Sequence, residues 1–265
     1  MKKQLLWVLA GTGSFLVSLA VLAPLPVLAQ QAIRLLPNLQ LAGVSGTLWD
    51  GKIQRVTTPQ VQVDDLSWTF APQGLLGGLL AADVQAQVQT VQVKGQCGVS
   101  ITTQLQCQPL QLDLEAANIQ KLTPAAQNLP VILGGTIHAK LDDISWDRVG
   151  IPAVNGDITW DQGSLQQPMQ INLGGKYLAR VRQSDKAGEA LNIALQSDGS
   201  MIVLDGKINV ETSGRYQAEI FLKPSAEADP SIGQGLSLLG APQTDGSIRL
   251  KQEGQVVMPG AVVAN

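Results

Sequence analysis

The sequence contains few of the residues from which catalytic and nucleic-acid-binding sites are built. Charged residues make up 15% of the 265-residue chain, against about 25% in a typical soluble domain, and aromatic residues make up 4%. Its 18 basic and 21 acidic side chains give a net charge of −3. Nucleic-acid binders need a basic surface to contact phosphates, so we predict no nucleic-acid partner.

Histidine and the common catalytic motifs are equally scarce. His138 is the only histidine, which excludes sites with several histidine ligands. The chain has neither a GxxxxGK[ST] phosphate-binding loop nor a GxSxG nucleophile motif. The adjacent carboxylates at 64–65 and 142–143 would alternate across a strand and point to opposite faces. We therefore predict no enzymatic activity, no catalytic residues, no metal site and no cofactor.

Charge is absent from residues 4–33, ahead of Arg34. Residues 5–23 form an apolar stretch close to the ~20 residues that a helix needs to cross a bilayer. Pro24 and Pro26 would end such a helix, and the two N-terminal lysines favour a cytoplasmic N-terminus. The alternative is a signal peptide that is cleaved before Gln30.

These features predict four segments. They are a cytoplasmic N-terminus (1–4), a transmembrane anchor (5–23), a juxtamembrane linker (24–42) and an exported domain (43–265). The predicted location is therefore the inner membrane, crossed once, with the C-terminal domain in the periplasm.

The two cysteines, Cys97 and Cys107, lie ten residues apart. Two cysteines in an exported chain most often pair, and this spacing suits a bridge between neighbouring strands of a hairpin. It excludes a CxxC redox centre, and a zinc site would lack its other ligands. We predict a structural disulfide, with two free thiols as the alternative.

Apolar and polar residues alternate along much of the remaining chain. Residues 84–89 alternate small apolar residues with Gln, and the phase slips at Thr90. Gly-containing pairs that are typical of turns separate further alternating runs. They are Asp50-Gly51, Gly134-Gly135, Asn155-Gly156, Gly174-Gly175, Asp198-Gly199, Asp205-Gly206 and Asp245-Gly246. The pattern predicts a mainly β protein, either an extended or curved antiparallel sheet or a β-sandwich-like domain.

Few helices are expected beyond the anchor. Residues 229–240 have an Asp in position to cap a helix, a Pro at the first helical position and a closing Gly. A weaker helical segment covers about 116–128.

The tryptophans at 49, 68, 146 and 160 are expected to pack in the core with their indole N–H groups hydrogen-bonded. A partner interface is the alternative for these rings.

The segment Leu41–Lys52, LAGVSGTLWDGK, resembles a motif of the type II secretion system protein N family. The similarity continues through Leu66–Gly77, where a Trp-containing strand precedes a Pro and a Leu/Gly turn. It ends near 238–250, where Leu-Gly is followed by a glycine turn and a strand. These segments span nearly the whole chain.

The resemblance implies a periplasmic β-rich domain that is tethered to the inner membrane by one helix. It implies a non-enzymatic accessory component that contacts the inner-membrane platform proteins and the outer-membrane secretin. The family motif carries no catalytic role, so we interpret its residues as fold-defining. They are Gly43, Gly46, Thr47, Leu48, Trp49 and Gly51.

The alternation also resembles, more loosely, the repeated β units of lipid-handling periplasmic proteins. That similarity favours an alternative function, in which a continuous apolar groove on one face of the sheet binds lipid. A fully packed sandwich without a groove would exclude it.

Overall fold

The computed structural model describes residues 24–35, 38–58, 62–119, 132–147, 149–167, 170–237 and 239–255. The predicted transmembrane segment, residues 5–23, lies outside this part of the chain. Within the described ranges, no helix combines the length and hydropathy needed to cross a membrane. The described residues are mainly β, which confirms the fold class that the alternation predicted.

Thirteen strands and two α-helices occur in the described ranges. The strands are β1 (Gln40–Gly46), β2 (Asp50–Thr57), β3 (Gln62–Ala71), β4 (Leu79–Val88), β5 (Val91–Ser100), β6 (Leu105–Glu115), β7 (Ile132–Trp146), β8 (Ala153–Gln167), β9 (Ile171–Gln183), β10 (Glu189–Asp198), β11 (Ile202–Glu211), β12 (Arg215–Pro224) and β13 (Ile248–Gln255). The helices are α1 (Leu25–Leu35) and α2 (Pro230–Ser237), with 3-10 turns at Pro72–Gly77 and Ala116–Asn118.

The chain divides into two compact units. The first unit, residues 1–89, contains α1 and β1–β4, and the second unit, residues 90–265, contains β5–β13 and α2. Within each unit every strand pairs antiparallel with its neighbour in the chain. Antiparallel neighbours need only short connections. This pairing is an open antiparallel meander. It corresponds to the extended antiparallel sheet, the first of the two predicted architectures.

Helix α1 lies within residues 24–42, the segment predicted as a linker. The helix packs against β1, and its buried side chains include Leu25 and Ala29. Pro26 sits in the first turn, where a missing N–H costs little. Just before the helix, Pro24 forms an isolated antiparallel bridge with Thr47. The first described residues of the chain are therefore held beside the β1–β2 turn.

Most of the Gly-containing pairs that were predicted as turns lie inside strands, so that prediction was wrong for them. The pairs at 50–51, 134–135, 155–156, 174–175 and 205–206 fall within β2, β7, β8, β9 and β11. Among the seven predicted pairs, Asp245-Gly246 lies between strands, and Asp198-Gly199 spans the end of β10. The strands are therefore longer than the glycine spacing suggested.

Two physical reasons account for glycine inside these strands. Some glycines make room for a neighbour: a Cβ on Gly51 would lie 2.4 Å from Cζ2 of Trp68. Others allow a bulge: Gly135 has a φ of +96°, at a register shift between β7 and β8. Glycine within a strand often marks a bulge or a close approach of a neighbouring group. The sequence alone does not distinguish such a glycine from one in a turn.

The phase slip at Thr90 also has a simple cause. Strand β4 ends at Val88 and β5 begins at Val91, so the slip separates two strands and is not a bulge within one. Because each strand sets its own alternation, the apolar positions can change parity across the turn.

The predicted helix at 229–240 is confirmed as α2, which begins at Pro230. Its preceding residue, Asp229, accepts a hydrogen bond from the Ser231 backbone N–H through Oδ1 at 2.8 Å. Hydrogen bonds from Ser231 lower the pKa of Asp229. Of the weaker helical segment at 116–128, the structure describes a 3-10 turn at Ala116–Asn118, and residues 120–128 lie outside the described ranges.

Candidate functional site

The polar groups considered for catalysis form cross-strand pairs at the surface. His138 on β7 places Nδ1 2.5 Å from Oδ1 of Asp113 on β6, and both side chains are about half exposed. Asp64 pairs with Arg55 at 2.7 Å, and this hydrogen bond lowers the pKa of Asp64. In the described ranges, no group of three or more His, Cys, Asp or Glu side chains is placed to hold a metal ion.

The second unit carries a continuous row of apolar residues across its strands. One residue from each of its nine strands lies in a single cross-strand row, and every one of them is apolar or glycine. The row is Val93, Leu112, Ala139, Ile158, Ala179, Leu195, Gly206, Ile220 and Leu250. We call the side of the sheet that carries this row the apolar face.

The opposite side of the same strands is polar. The adjacent row runs through Lys94, Gln111, Lys140, Asp157, Arg180, Ala194, Lys207, Glu219 and Lys251. Opposite charges are neighbours in this row, where Glu219 lies between Lys207 and Lys251. Glu219 also accepts hydrogen bonds from Arg249, which lower the pKa of its carboxyl group. Alternation along each strand therefore produces one polar face and one apolar face.

The apolar face is only half covered. Apart from Ala139, every member of the apolar row is half-buried. Helix α2 covers one end, where Ile232 and Leu236 pack on Ile248 beside Leu222. Among the described residues of this unit, α2 is the only α-helix. Antiparallel sheets usually bury one face against a second layer, so a half-buried apolar face is available for contact.

An open cavity of about 360 Å³ lies on this face. Its lining runs from β7 to β12 and is built from aliphatic and aromatic side chains, including Ile137, Ile158, Leu195, Leu204 and Leu222. A cavity of this size lined by apolar groups is typical of sites for apolar ligands. We call it the apolar groove.

Trp160 and Tyr177 form the aromatic wall of the apolar groove. They are cross-strand partners, with ring centroids 5.2 Å apart. The Trp160 indole Nε1 donates to the Gly134 backbone carbonyl at 2.9 Å, which anchors the ring. Burial of its hydroxyl group raises the pKa of Tyr177. The tyrosine is therefore neutral at physiological pH.

The family-like motif builds the β1–β2 turn of the first unit. Gly46 has a φ of +88°, and a Cβ there would lie 2.3 Å from the Asp50 carbonyl oxygen. Thr47 Oγ1 accepts hydrogen bonds from the backbone N–H groups of Trp49 at 3.3 Å and Asp50 at 3.1 Å. Hydroxyl-to-backbone bonds of this kind stabilise tight turns. Leu48, at the turn, is 47% exposed.

Aromatic rings pack at this turn. Trp49 packs edge-on against Phe70 with centroids 4.9 Å apart. The ring of Trp68 lies over Gly51, and its Nε1 donates to the Leu48 carbonyl at 2.8 Å. These contacts support a fold-defining role for the motif. Gly43, another motif residue, lies in β1 and has a φ of +64°.

The indole hydrogen bonds expected from the sequence are present for three tryptophans: Trp68, Trp146 and Trp160. All four of the tryptophans that the structure describes are half-buried. They therefore contribute to packing and remain partly accessible.

Cys97 and Cys107 form a disulfide between β5 and β6. They are directly opposite in the register, with Cα atoms 4.0 Å apart. The predicted pairing across a hairpin is therefore present, close to a register shift between Gly95 and Cys97.

Sequence reasoning did not locate the apolar groove. It expected a groove only under the lipid-handling alternative and assigned no residues to it. The signal was present as alternating apolar runs in β7–β12, but it becomes a site only when cross-strand registers align those runs. Trp160 was expected to pack in the core, and the structure places it at the groove wall.

Comparison with known proteins identifies the family. The family model described as type II secretion system protein N matches residues 37–251. A protein named type II secretion system protein N from Vibrio cholerae is 26% identical over 86% of this chain and 90% of its own length. Proteins of the same name from Aeromonas hydrophila (24%; 83% of this chain, 86% of the relative) and Pectobacterium carotovorum (23%; 92% and 93%) are also similar. No solved structure matches the chain.

The family match covers most of the chain, includes the β1–β2 turn and extends through strands of both units. The resemblance that the LAGVSGTLWDGK segment indicated is thus confirmed, and the chain belongs to the type II secretion system protein N family.

Proposed function

We propose that this protein is a non-enzymatic component of the type II secretion system, anchored in the inner membrane, that assists export of folded proteins across the outer membrane. It acts through periplasmic contacts with the platform proteins and the secretin. The observation that carries this proposal is the family match over residues 37–251, which takes in strands of both β units. Membership in the family makes the chain a secretion component, and the specific contacts are the proposed part.

Sequence and structure support the proposed location. The uncharged residues 5–23 directly precede the first described residue, Pro24, and the two N-terminal lysines favour retention of that end in the cytoplasm. The described β units would then lie in the periplasm. The Cys97–Cys107 disulfide supports this placement, because disulfides persist in oxidising compartments.

The contacts can be tested with the full-length chain. We expect a tagged copy, cross-linked in cells and purified in detergent, to retain platform proteins or the secretin, and deletion of the gene to reduce secretion of folded substrates. The matched control has residues 1–23 replaced by a cleavable signal, which should release the chain from the membrane and weaken capture of the platform. Recovery of the chain alone, together with unchanged secretion after deletion, would contradict the proposal.

A second candidate function is supported by the apolar groove. Here the face formed by β7–β12 binds the acyl chains of a phospholipid while the polar row of the same strands faces water. The specific observation is an open cavity of about 360 Å³ whose lining includes Ile158, Leu195 and the Trp160–Tyr177 wall. Burial of acyl chains there would remove half-exposed apolar surface from water, which is favourable.

Two neighbouring substitutions on β10 test lipid binding. Leu195 lies in the apolar row, and Ala194 lies in the polar row between Arg180 and Lys207. We expect Leu195→Glu to lower the phospholipid that co-purifies with the protein roughly tenfold, since an unpaired carboxylate in an apolar site is costly. Ala194→Glu gains basic neighbours and should retain wild-type lipid content.

Lipid would be quantified by mass spectrometry after purification of both variants, and circular dichroism would confirm that each is folded. Equal lipid content in the two folded variants, or no phospholipid on the wild-type protein, would exclude this second function. The secretion-component proposal does not depend on that result.

A further inference from the structure

One end of the first unit presents exposed leucines. Asp50 pairs with Thr69 and Ala71 pairs with Ala81, so the β1–β2 turn and the 3-10 turn Pro72–Gly77 lie at the same end of the four strands. The exposed large apolar side chains here are Leu48 (47%), Leu75 (56%), Leu76 (95%) and Leu80 (56%). We call these four leucines the apolar end.

The segments that build the apolar end carry no charge. No charged residue lies between Arg34 and Asp50, or between Asp65 and Asp83. Asp50, the first residue of β2 and exposed, is the nearest charge along the β1–β2 turn. Exposed apolar side chains gathered at one end of a unit are typical of a surface that contacts a partner or a membrane.

The leucines are held outward by an ordered turn. Pro72 begins the 3-10 turn, and Gly78, with a φ of +72°, closes it by donating its backbone N–H to the Leu75 carbonyl at 3.1 Å. A Cβ on Gly74 would lie 2.7 Å from the Cβ of Ala81, so the turn packs closely on β4. Leu75 and Leu76 lie in this ordered turn with their side chains exposed.

The chain enters the first unit at this same end. Pro24 is bridged to Thr47 in the β1–β2 turn, and the apolar residues 5–23 directly precede it. A membrane segment ending at Pro24 would therefore place the apolar end next to the bilayer surface.

We propose that the apolar end inserts its leucines into the interfacial region of the inner-membrane bilayer. The inference rests on the proposed anchoring by residues 5–23, which holds the patch close to lipid. Trp49 and Trp68 lie at the same end, and indole rings are favoured at this depth. The exposed Asp50 limits insertion to the headgroup and upper acyl region, ~5–10 Å into the boundary. Insertion of both the anchor and the apolar end would fix the orientation of the first unit relative to the membrane.

Spin labels on the full-length protein can test this depth. The native cysteines are joined in a disulfide, and free cysteines are lacking in the part that the structure describes, so a new cysteine can be labelled selectively. Leu76→Cys and, independently, Leu75→Cys place the label at the apolar end. Gln87→Cys places it at an exposed position near the other end of the same unit.

The labelled proteins would be reconstituted in vesicles of phosphatidylethanolamine and phosphatidylglycerol (3:1). The ratio of oxygen to nickel-chelate collision rates reports depth. We expect this ratio to be about fivefold higher at positions 76 and 75 than at 87, because interfacial burial excludes the chelate.

The outcomes separate this inference from the anchor itself. Chain that floats with vesicles but gives equal ratios at 75, 76 and 87 would overturn the inference and leave the anchor intact. Chain that does not float would overturn both. Spin–spin broadening at 76, with an aqueous ratio, would also overturn the inference by identifying a second copy of the chain as the occupant.

Discussion

Replacement of Trp160 by alanine is expected to lower the free energy of unfolding by about 3 kcal/mol. The ring packs on Tyr177 at 5.2 Å, and a Cβ on Gly163 would lie only 3.0 Å from its Cε2 atom. Its removal leaves a gap in the aromatic wall and also frees the Gly134 carbonyl, to which Nε1 donates. The ring is half-buried, so the cost lies toward the lower end of the range for tryptophan truncation.

The urea-unfolding midpoint of the second unit measures this effect. Trp160→Phe is the matched control, because it retains an aromatic ring beside Tyr177 and loses the indole donor. We expect it to cost about 1 kcal/mol, the net value of one hydrogen bond. If alanine and phenylalanine lowered the midpoint equally, packing of the ring would contribute nothing, and our account of the groove wall would be wrong.

A single added methyl group at Gly51 is expected to destabilise the first unit by about 2 kcal/mol. The alanine Cβ would lie 2.4 Å from Cζ2 and 2.8 Å from Cε2 of Trp68. The ring must move away, which breaks the hydrogen bond from its Nε1 to the Leu48 carbonyl. Alanine also restricts the unfolded chain, which stabilises the folded protein and offsets part of this loss. The displaced Trp68 ring and its broken hydrogen bond lower the free energy of unfolding by more than that gain.

Gly77→Ala is the control for this substitution. Gly77 lies in the 3-10 turn of the same unit, and a Cβ there meets nothing within 4 Å. We expect its unfolding midpoint to be equal to or slightly above that of the wild-type protein, because alanine restricts the unfolded chain, while Gly51→Ala unfolds at lower urea. Tryptophan fluorescence would follow both. A Gly51→Ala protein as stable as the Gly77→Ala protein would show that the ring over β2 adapts freely.

The alternation of apolar and polar residues predicted the mainly β character correctly, because the two faces of a strand are encoded within a few consecutive residues. The capped helix at Pro230–Ser237 was predictable for a similar reason, since its Asp229 cap is adjacent in the chain. The Cys97–Cys107 pair was predictable from its short spacing in a chain predicted to be exported, and the structure contains it.

Glycine was harder to interpret from sequence. The sequence predicts Gly51 and Gly135 to be turn residues, but Gly51 lies under Trp68 and Gly135 permits a bulge in β7. Both roles depend on what the neighbouring strand places opposite the glycine. That neighbour is known only once the register between strands is known.

The candidate sites show the same limit. The motif residues at the β1–β2 turn were identified by resemblance, and their contacts, such as the Trp49–Phe70 pair, join strands that are distant in sequence. The apolar face required nine strands to align one residue each. The apolar end required the registers that place the β1–β2 turn and the 3-10 turn at the same end of the four strands.

The sequence by itself determined the absence of common catalytic motifs, the uncharged N-terminal run, the strand character and the family, because composition, local periodicity and a short motif carry this information. The tertiary structure alone decided which side chains share a face, since pairing registers are set by cooperative packing across many strands. It therefore turned scattered alternating residues into an apolar groove and four separate leucines into one exposed end.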